Sequence, residues 1–314
     1  MRPRIVFFGT PMLAVPSLEA CTQLGEVVLV VTRPDRPAGR GLRPSAPPIE
    51  YAARARGLPV EQPASIRDAS FVDRLRALRP DVAIVVAYGR IFPPAVLAVP
   101  ARGCVNVHAS LLPRWRGAAP IERAIAAGDT QTGVCLMRMD EGLDTGPIIA
   151  CVATPIGSDE TAGDLGERLA RLGAELLARE LPAWLAGERP ERPQPAEGVC
   201  MAPPVRGEEA AIDWARPARA VHDHVRAMNP RPIAHTRIGA RRLLVHRTRP
   251  AASEATGAAP GTVLDAARGR LEIACAPGSV EILELQLEGR RKMSTREALG
   301  GLRLRAGDRL GETA

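Results

Sequence analysis

Short runs of consecutive apolar residues alternate with stretches of helical periodicity along the first half of the chain. RIVFFG (4–9), EVVLVVT (26–32), DVAIVVA (81–87) and CVNV (104–107) are apolar at successive positions. That is the pattern of strands buried on both faces in a parallel sheet. Helix-like segments lie between them, one reaching about Leu24 and others near 47–57 and 68–78. This alternation predicts an α/β fold with a Rossmann-like, doubly wound, mostly parallel sheet. GVCLMRM (133–139) and PIIACVA (147–153) are expected to add antiparallel strands at its edge. A long helix is predicted over 161–180, with Leu165, Leu169, Leu172 and Leu176 along one face.

The pattern stops at GERPERPQPAEG (187–198), a charged, proline-rich stretch that reads as a semi-rigid linker. Beyond it the period shortens. After one helix near 216–227, IAHTRI, RRLLVHR, GTVLDA, RLEIAC and SVEILELQL are short strand candidates separated by turn residues. They predict a smaller C-terminal β-barrel of the OB type, or a sandwich. The expected organisation is a larger domain over 1–187, a linker over 188–206 and a barrel domain over 207–314.

Composition narrows the class. With 46% hydrophobic and 25% charged residues among 314, the chain is neither disordered nor fibrous, and at 3% aromatics its core must be aliphatic. The opening MRPRIVFFGTP holds too short an apolar run for an export signal, and no run of about 18 apolar residues follows. Six cysteines (Cys21, Cys104, Cys135, Cys151, Cys200, Cys275) occur without any C-x-x-C pair. They are expected to be reduced thiols of a cytoplasmic, monomeric protein, with no metal bound. The net charge is +7, and Lys292 is the one lysine. Residues 207–314 hold 18 Lys and Arg against 13 Asp and Glu, five of the seven excess charges, which suggests a polyanionic partner.

Candidate chemistry centres on GCVNVHASLLPRWRGAAP (103–120). Alternate residues of a strand share a face, so Asn106 and His108 point the same way where the strand ends. Open parallel sheets bind ligands beyond those ends. An amide donor beside a titratable base suits acyl transfer, one group facing a developing oxyanion and the other moving protons. A capped strand end with a surface histidine would carry the same letters. MDEGLDTGPII (139–149) offers acids between two strands. Asp144 could orient His108 as the third member of a triad does, and spacing alone leaves Asp140 and Glu141 open as alternatives.

F-G-T-P (8–11), T-R-P-D-R-P-A-G-R-G (32–41), V-V-A-Y-G (85–89), N-V-H-A-S-L-L-P-R-W-R-G-A-A-P-I (106–121) and G-L-D-T-G (142–146) together resemble the folate-dependent formyltransferases. The likeness covers nearly the whole chain. It is most similar to the branch that acts on initiator methionyl-tRNA, through the 32–41 loop and the C-terminal domain. The resemblance implies catalytic roles for Asn106, His108 and Asp144. It implies folate binding by Ser110, Leu111, Leu112 and Pro113 and by the strand end at Ala87, Tyr88 and Gly89. The co-substrate would be 10-formyltetrahydrofolate, and the acceptor the α-amino group of methionine on initiator tRNA.

TRPDRPAGRGLRP (32–44) sets Arg33, Arg36, Arg40 and Arg43 among prolines and glycines, after the second strand. Such a loop can be a solvated surface feature, but the resemblance implies contact with tRNA. Arg290, Arg291 and Lys292 form a basic turn suited to phosphate. An amino-sugar or glycinamide ribotide formyltransferase would share the chemistry without needing the barrel. A nicotinamide dehydrogenase is disfavoured because FFGTPMLA lacks G-x-G-x-x-G. An RNA-binding module would leave Asn106 and His108 unused.

Overall fold

The runs of consecutive apolar residues become the middle of one sheet. A computed structural model describes residues 2–38, 43–251 and 257–311. Its strands begin with β1 (Arg4–Gly9), β2 (Glu26–Val31), a short antiparallel pair β3 (Arg36–Ala38) and β4 (Arg43–Ser45), and β5 (Val60–Glu61). There follow β6 (Val82–Val86), β7 (Cys104–His108), β8 (Arg116–Gly117), β9 (Gln131–Arg138), β10 (Ile148–Pro155) and β11 (Met201–Ala202). The main sheet has the order β10-β9-β7-β6-β1-β2-β5. It is parallel from β7 to β5, and β9 and β10 are antiparallel additions, as their sequences predict.

Helices α1 (Val15–Leu24), α2 (Pro48–Arg54), α3 (Ala69–Ala77) and α4 (Pro94–Leu97) connect the parallel strands, and α5 (Pro120–Ala126) follows the candidate segment. Helix α6 (Ala162–Leu185) runs five residues beyond the predicted 180, with Pro182 inside it. Leu165, Leu169 and Leu176 are buried as expected. A Cβ at Gly173 would stand 2.8 Å from Val107 Cγ1, so this glycine lets α6 lie close against β7, the strand that carries Asn106 and His108.

The chain divides into two units. The first comprises 1–120, 131–155 and 166–203, and the second 121–130, 156–165 and 204–314. The proline-rich stretch therefore belongs with the first unit as far as Pro203. It has no periodic pattern because its partners are individual groups in other loops, as described below. Among the described residues, no helix is long and apolar enough to cross a membrane.

The second unit is built on an antiparallel, barrel-like sheet of order β12-β13-β16-β15-β14, with β17 on β16. Its strands are β12 (His235–Ile238), β13 (Arg241–Pro250), β14 (Val263–Asp265), β15 (Glu272–Ala274), β16 (Ser279–Leu287) and β17 (Met293–Ser294), with helices α7 (Ala218–Ala227) and α8 (Thr295–Leu302). Leu243, Val245, Ile273, Ile282 and Leu285 face a core shared with Val221 and Val225 of α7. Trp214 is part of that core, its Nε1–H donating to Thr236 Oγ1 at 3.1 Å.

One expectation fails. The cysteines are not all reduced: Cys135 and Cys151 form a disulfide, while Cys21, Cys104, Cys200 and Cys275 are free. The two are direct partners across β9 and β10, with Cα atoms 4.1 Å apart. Cross-strand pairing brings side chains together that lie 16 residues apart in sequence, a relation that no spacing motif reports.

Inside the second unit, Asp223 holds two guanidinium groups, Arg226 Nε at 2.7 Å and Arg219 Nε at 3.0 Å. Arg226 is itself buried and reaches the Gly157 and Glu160 carbonyls, each at 3.1 Å. Removing the carboxylate strands a buried cation. Asp223→Ala is expected to cost about 3–5 kcal/mol, read as a lower urea midpoint for unfolding of this unit.

Candidate active site

Strand β7 delivers Asn106 and His108 to its carboxyl end, and pairing with β9 sets Met137 opposite Asn106 and Cys135 opposite His108. Asp144 meets them from the loop between β9 and β10. Asn106 Nδ2 donates to Asp144 Oδ1 at 3.2 Å, the Gly117 N–H donates to Asp144 Oδ2 at 2.9 Å, and His108 Nδ1 stands 3.6 Å from Oδ2. The three side chains assemble as the sequence suggests, but the carboxylate grips Asn106 and the Gly117 backbone more closely than the imidazole. His108 is buried, and its Nε2 lies 2.9 Å from the Trp115 carbonyl. A carbonyl only accepts, so Nε2 of the neutral ring carries the proton and the Nδ1 lone pair is turned towards Asp144.

The loop chooses among the three acids. Asp140 Oδ1 accepts from Gly142 N at 3.1 Å and Thr145 Oγ1 at 2.7 Å, so it closes the turn, and Glu141 is exposed. Asp144 has φ of 52°, a left-handed conformation that residues with a Cβ adopt at some cost and that recurs at functional sites. The other loop is equally tight. At Gly117, with φ of 125°, a Cβ would stand 2.7 Å from the Ala202 carbonyl oxygen. Strand β11 pairs with β8 there, and the Ala118 and Ala119 N–H groups also reach that oxygen. Trp115, Gly117 and Ala202 are neighbours of this cluster that sequence reasoning missed, because each makes its contact through the backbone.

The predicted folate residues divide. Ser110 is fully buried and donates to the Arg114 carbonyl at 2.6 Å, which makes it a brace of its own turn. Leu112 packs with Cys135 and Met137, and Leu111 and Ile148 lie against that cluster. This is an apolar wall directly beside Asn106 and His108. Pro113 follows a cis peptide and is half-buried. Tyr88 sends its ring into the core against Phe8 and Phe92, leaving only its backbone for a ligand. Ala87 and Gly89 take φ of 47° and 71°, and Ala87 is exposed at the end of β6.

The basic residues are not all free to meet a partner. Arg33 donates to the Gly89 carbonyl, and its guanidinium is lowered from its ordinary pKa, first by burial and then by Arg36 and Arg90. Arg36 is exposed at the start of β3, and Arg43 lies in β4. Arg40 lies outside the described residues. Arg290 is exposed, whereas Arg291 and Lys292 pair with Glu297 and Glu284 at 2.9 and 2.8 Å. Among the described residues, no cluster of three or more His, Cys, Asp or Glu is placed to hold a metal.

Comparison with known proteins agrees with this layout. Residues 3–181 match the formyl transferase family, and 204–303 match the formyl transferase C-terminal domain. The chain is 50% identical over 306 residues to the methionyl-tRNA formyltransferase of Myxococcus xanthus, covering 98% of this chain and 97% of that one. It is 51% identical over 307 residues to that of Stenotrophomonas maltophilia, covering 97% and 99%. Among solved structures, an N-formyltransferase from Helicobacter canadensis in complex with folinic acid and dTDP-3-aminofucose shares the fold, with a TM-score of 0.69, 16% identity and 93% of this chain covered against 100% of that one. HypX from Aquifex aeolicus in complex with tetrahydrofolic acid matches with a TM-score of 0.64 and 18% identity. That match covers 96% of this chain, which spans about half (48%) of HypX.

The free thiols differ in access. Burial pushes Cys104 and Cys275 up to about 12 and raises Cys21 as well, so near pH 8 they hold almost no thiolate. Cys200 is half-buried, its Sγ accepting the Trp115 N–H at 3.2 Å. Iodoacetamide on the native protein is expected to modify Cys200 ahead of the other three, as peptide mass mapping would report.

Proposed function

The chain belongs to the formyl transferase family, and from that premise we propose that it formylates the α-amino group of initiator methionyl-tRNA, with 10-formyltetrahydrofolate as donor. The observation that carries this reading is the meeting of Asn106, His108 and Asp144 at one strand end, in a chain half identical over nearly its full length to methionyl-tRNA formyltransferases.

The residues fit such a donor. A flat heteroaromatic ring needs an apolar wall and backbone groups along its edges. Leu111 and Ile148 offer the wall, backed by the buried Leu112 and Met137, and the backbone at 87–89 offers the edges. When bound, 10-formyltetrahydrofolate supplies an activated formyl carbon.

The protein's own groups then divide the work. The Asn106 amide has two N–H donors, of which Asp144 takes one and thereby aims the other. That second N–H is the proposed partner for charge gathering on the carbonyl oxygen. His108 accepts at Nδ1 the proton shed by the attacking amine and returns it to the departing nitrogen, with Asp144 beside the transient cation. A model-peptide α-amino group titrates near ~7.7–8.0, so part of it is neutral and nucleophilic around neutral pH.

Arg33, Arg36, Arg40 and Arg43 are proposed to meet the acceptor end of the tRNA, and Arg290 with Arg291 and Lys292 its phosphates. Because Arg291 and Lys292 are already ion-paired, Arg290 is expected to weigh most in that turn.

The test is transfer of labelled formyl from 10-formyltetrahydrofolate to initiator Met-tRNA, beside elongator Met-tRNA, glycinamide ribotide and an amino-sugar nucleotide. Transfer confined to the initiator is expected, whereas transfer to a small amine alone would reassign the acceptor. Asn106→Ala and His108→Ala should each lower turnover by at least about a hundredfold in folded protein. Near-normal turnover in either variant would remove that residue from the mechanism.

A further inference from the structure

The proline-rich stretch after α6 is fastened along both loops of the active site. The Arg192 and Ile148 backbones exchange two hydrogen bonds, 2.9 and 2.7 Å. The Cys200 and Ala202 carbonyls accept from the Arg116, Ala118 and Ala119 N–H groups. Between these anchors the Gln194 amide uses its full capacity. Its Nε2 donates to the carbonyls of Asp144 and Gly146, both at 2.8 Å, and its Oε1 accepts from Arg116 Nε and Nη2 at 3.0 and 2.7 Å. Arg116 adjoins Gly117, whose N–H holds the Asp144 carboxylate. One side chain thus grips the backbone of Asp144 from one side and the loop that binds its carboxylate from the other.

We propose that Gln194 is a positioning residue for formyl transfer, a clamp that keeps the Asp144 loop and the 115–119 loop in mutual register; this rests on the functional reading above. None of the four hydrogen bonds of the Gln194 amide goes to Asn106, His108 or the Asp144 carboxylate. Its effect passes through where Asp144 and Gly117 stand. Displacements of about 1 Å in such a site cost on the order of a hundredfold in rate.

Two variants of the full chain separate the halves of the clamp. Gln194→Met fills the same space and makes none of the four bonds. Gln194→Glu keeps the Arg116 contact through one oxygen and turns the other on the two carbonyls. Both are expected to lower kcat by about tenfold to a hundredfold, while KM for each substrate stays within about twofold and the melting midpoint barely moves. Amide exchange should quicken at Gly117 and across 142–146. A kcat near that of the wild type in both folded variants overturns the proposal, as does a fall in kcat that only follows lost thermal stability. Were the wild-type chain to transfer no formyl group to Met-tRNA, the functional reading would fall instead. The exchange data would then judge the clamp alone, with unchanged exchange at Gly117 overturning it.

Discussion

A carboxylate taken largely out of water must be met by donors, and the active-site architecture is arranged around meeting this demand at Asp144. Its side chain is 14% exposed, and its two oxygens are shared between the Asn106 amide and the Gly117 N–H. An unmet buried charge would cost several kcal/mol, about the scale of a domain's whole stability margin. Each donor has its own structural condition. Asn106 reaches the carboxylate because β7 runs to the end of the sheet between β6 and β9. Gly117 reaches it because β8 pairs with β11 and because a glycine accepts both the left-handed backbone and the Ala202 carbonyl.

The same arrangement directs the proton. With the Trp115 carbonyl on Nε2, the imidazole has one nitrogen committed to the backbone and one turned to the acid. Trp115 takes φ of 61°, so this carbonyl is aimed by a left-handed residue whose own N–H bonds to the Cys200 thiol. Histidine orientation is thus set by a backbone detour and not by a second carboxylate.

Much of this was legible beforehand. Periodicity located the parallel strands, the antiparallel edge and α6, since each rests on which faces are apolar. The pairing of Asn106 with His108 followed from strand alternation alone, and family motifs singled out Asp144 from Asp140 and Glu141. What escaped was held in the backbone or across long separations. The Tyr88 motif pointed to backbone at the strand end and gave no sign that the ring packs into the core with Phe8 and Phe92. The Cys135–Cys151 bond depends on sheet register, and the proline-rich stretch has no period because its contacts are made one at a time.

That stretch also acts as a measure of length. Its fixed points at Arg192, Gln194, Cys200 and Ala202 each answer to a particular group in the first unit, whereas 195–199 are exposed. Composition there is nearly free to drift, but the number of residues is not. A single insertion or deletion would leave one anchor or another out of step, so natural variation in this interval should appear as substitutions at constant spacing, even though the segment looks by composition like tolerant connecting chain.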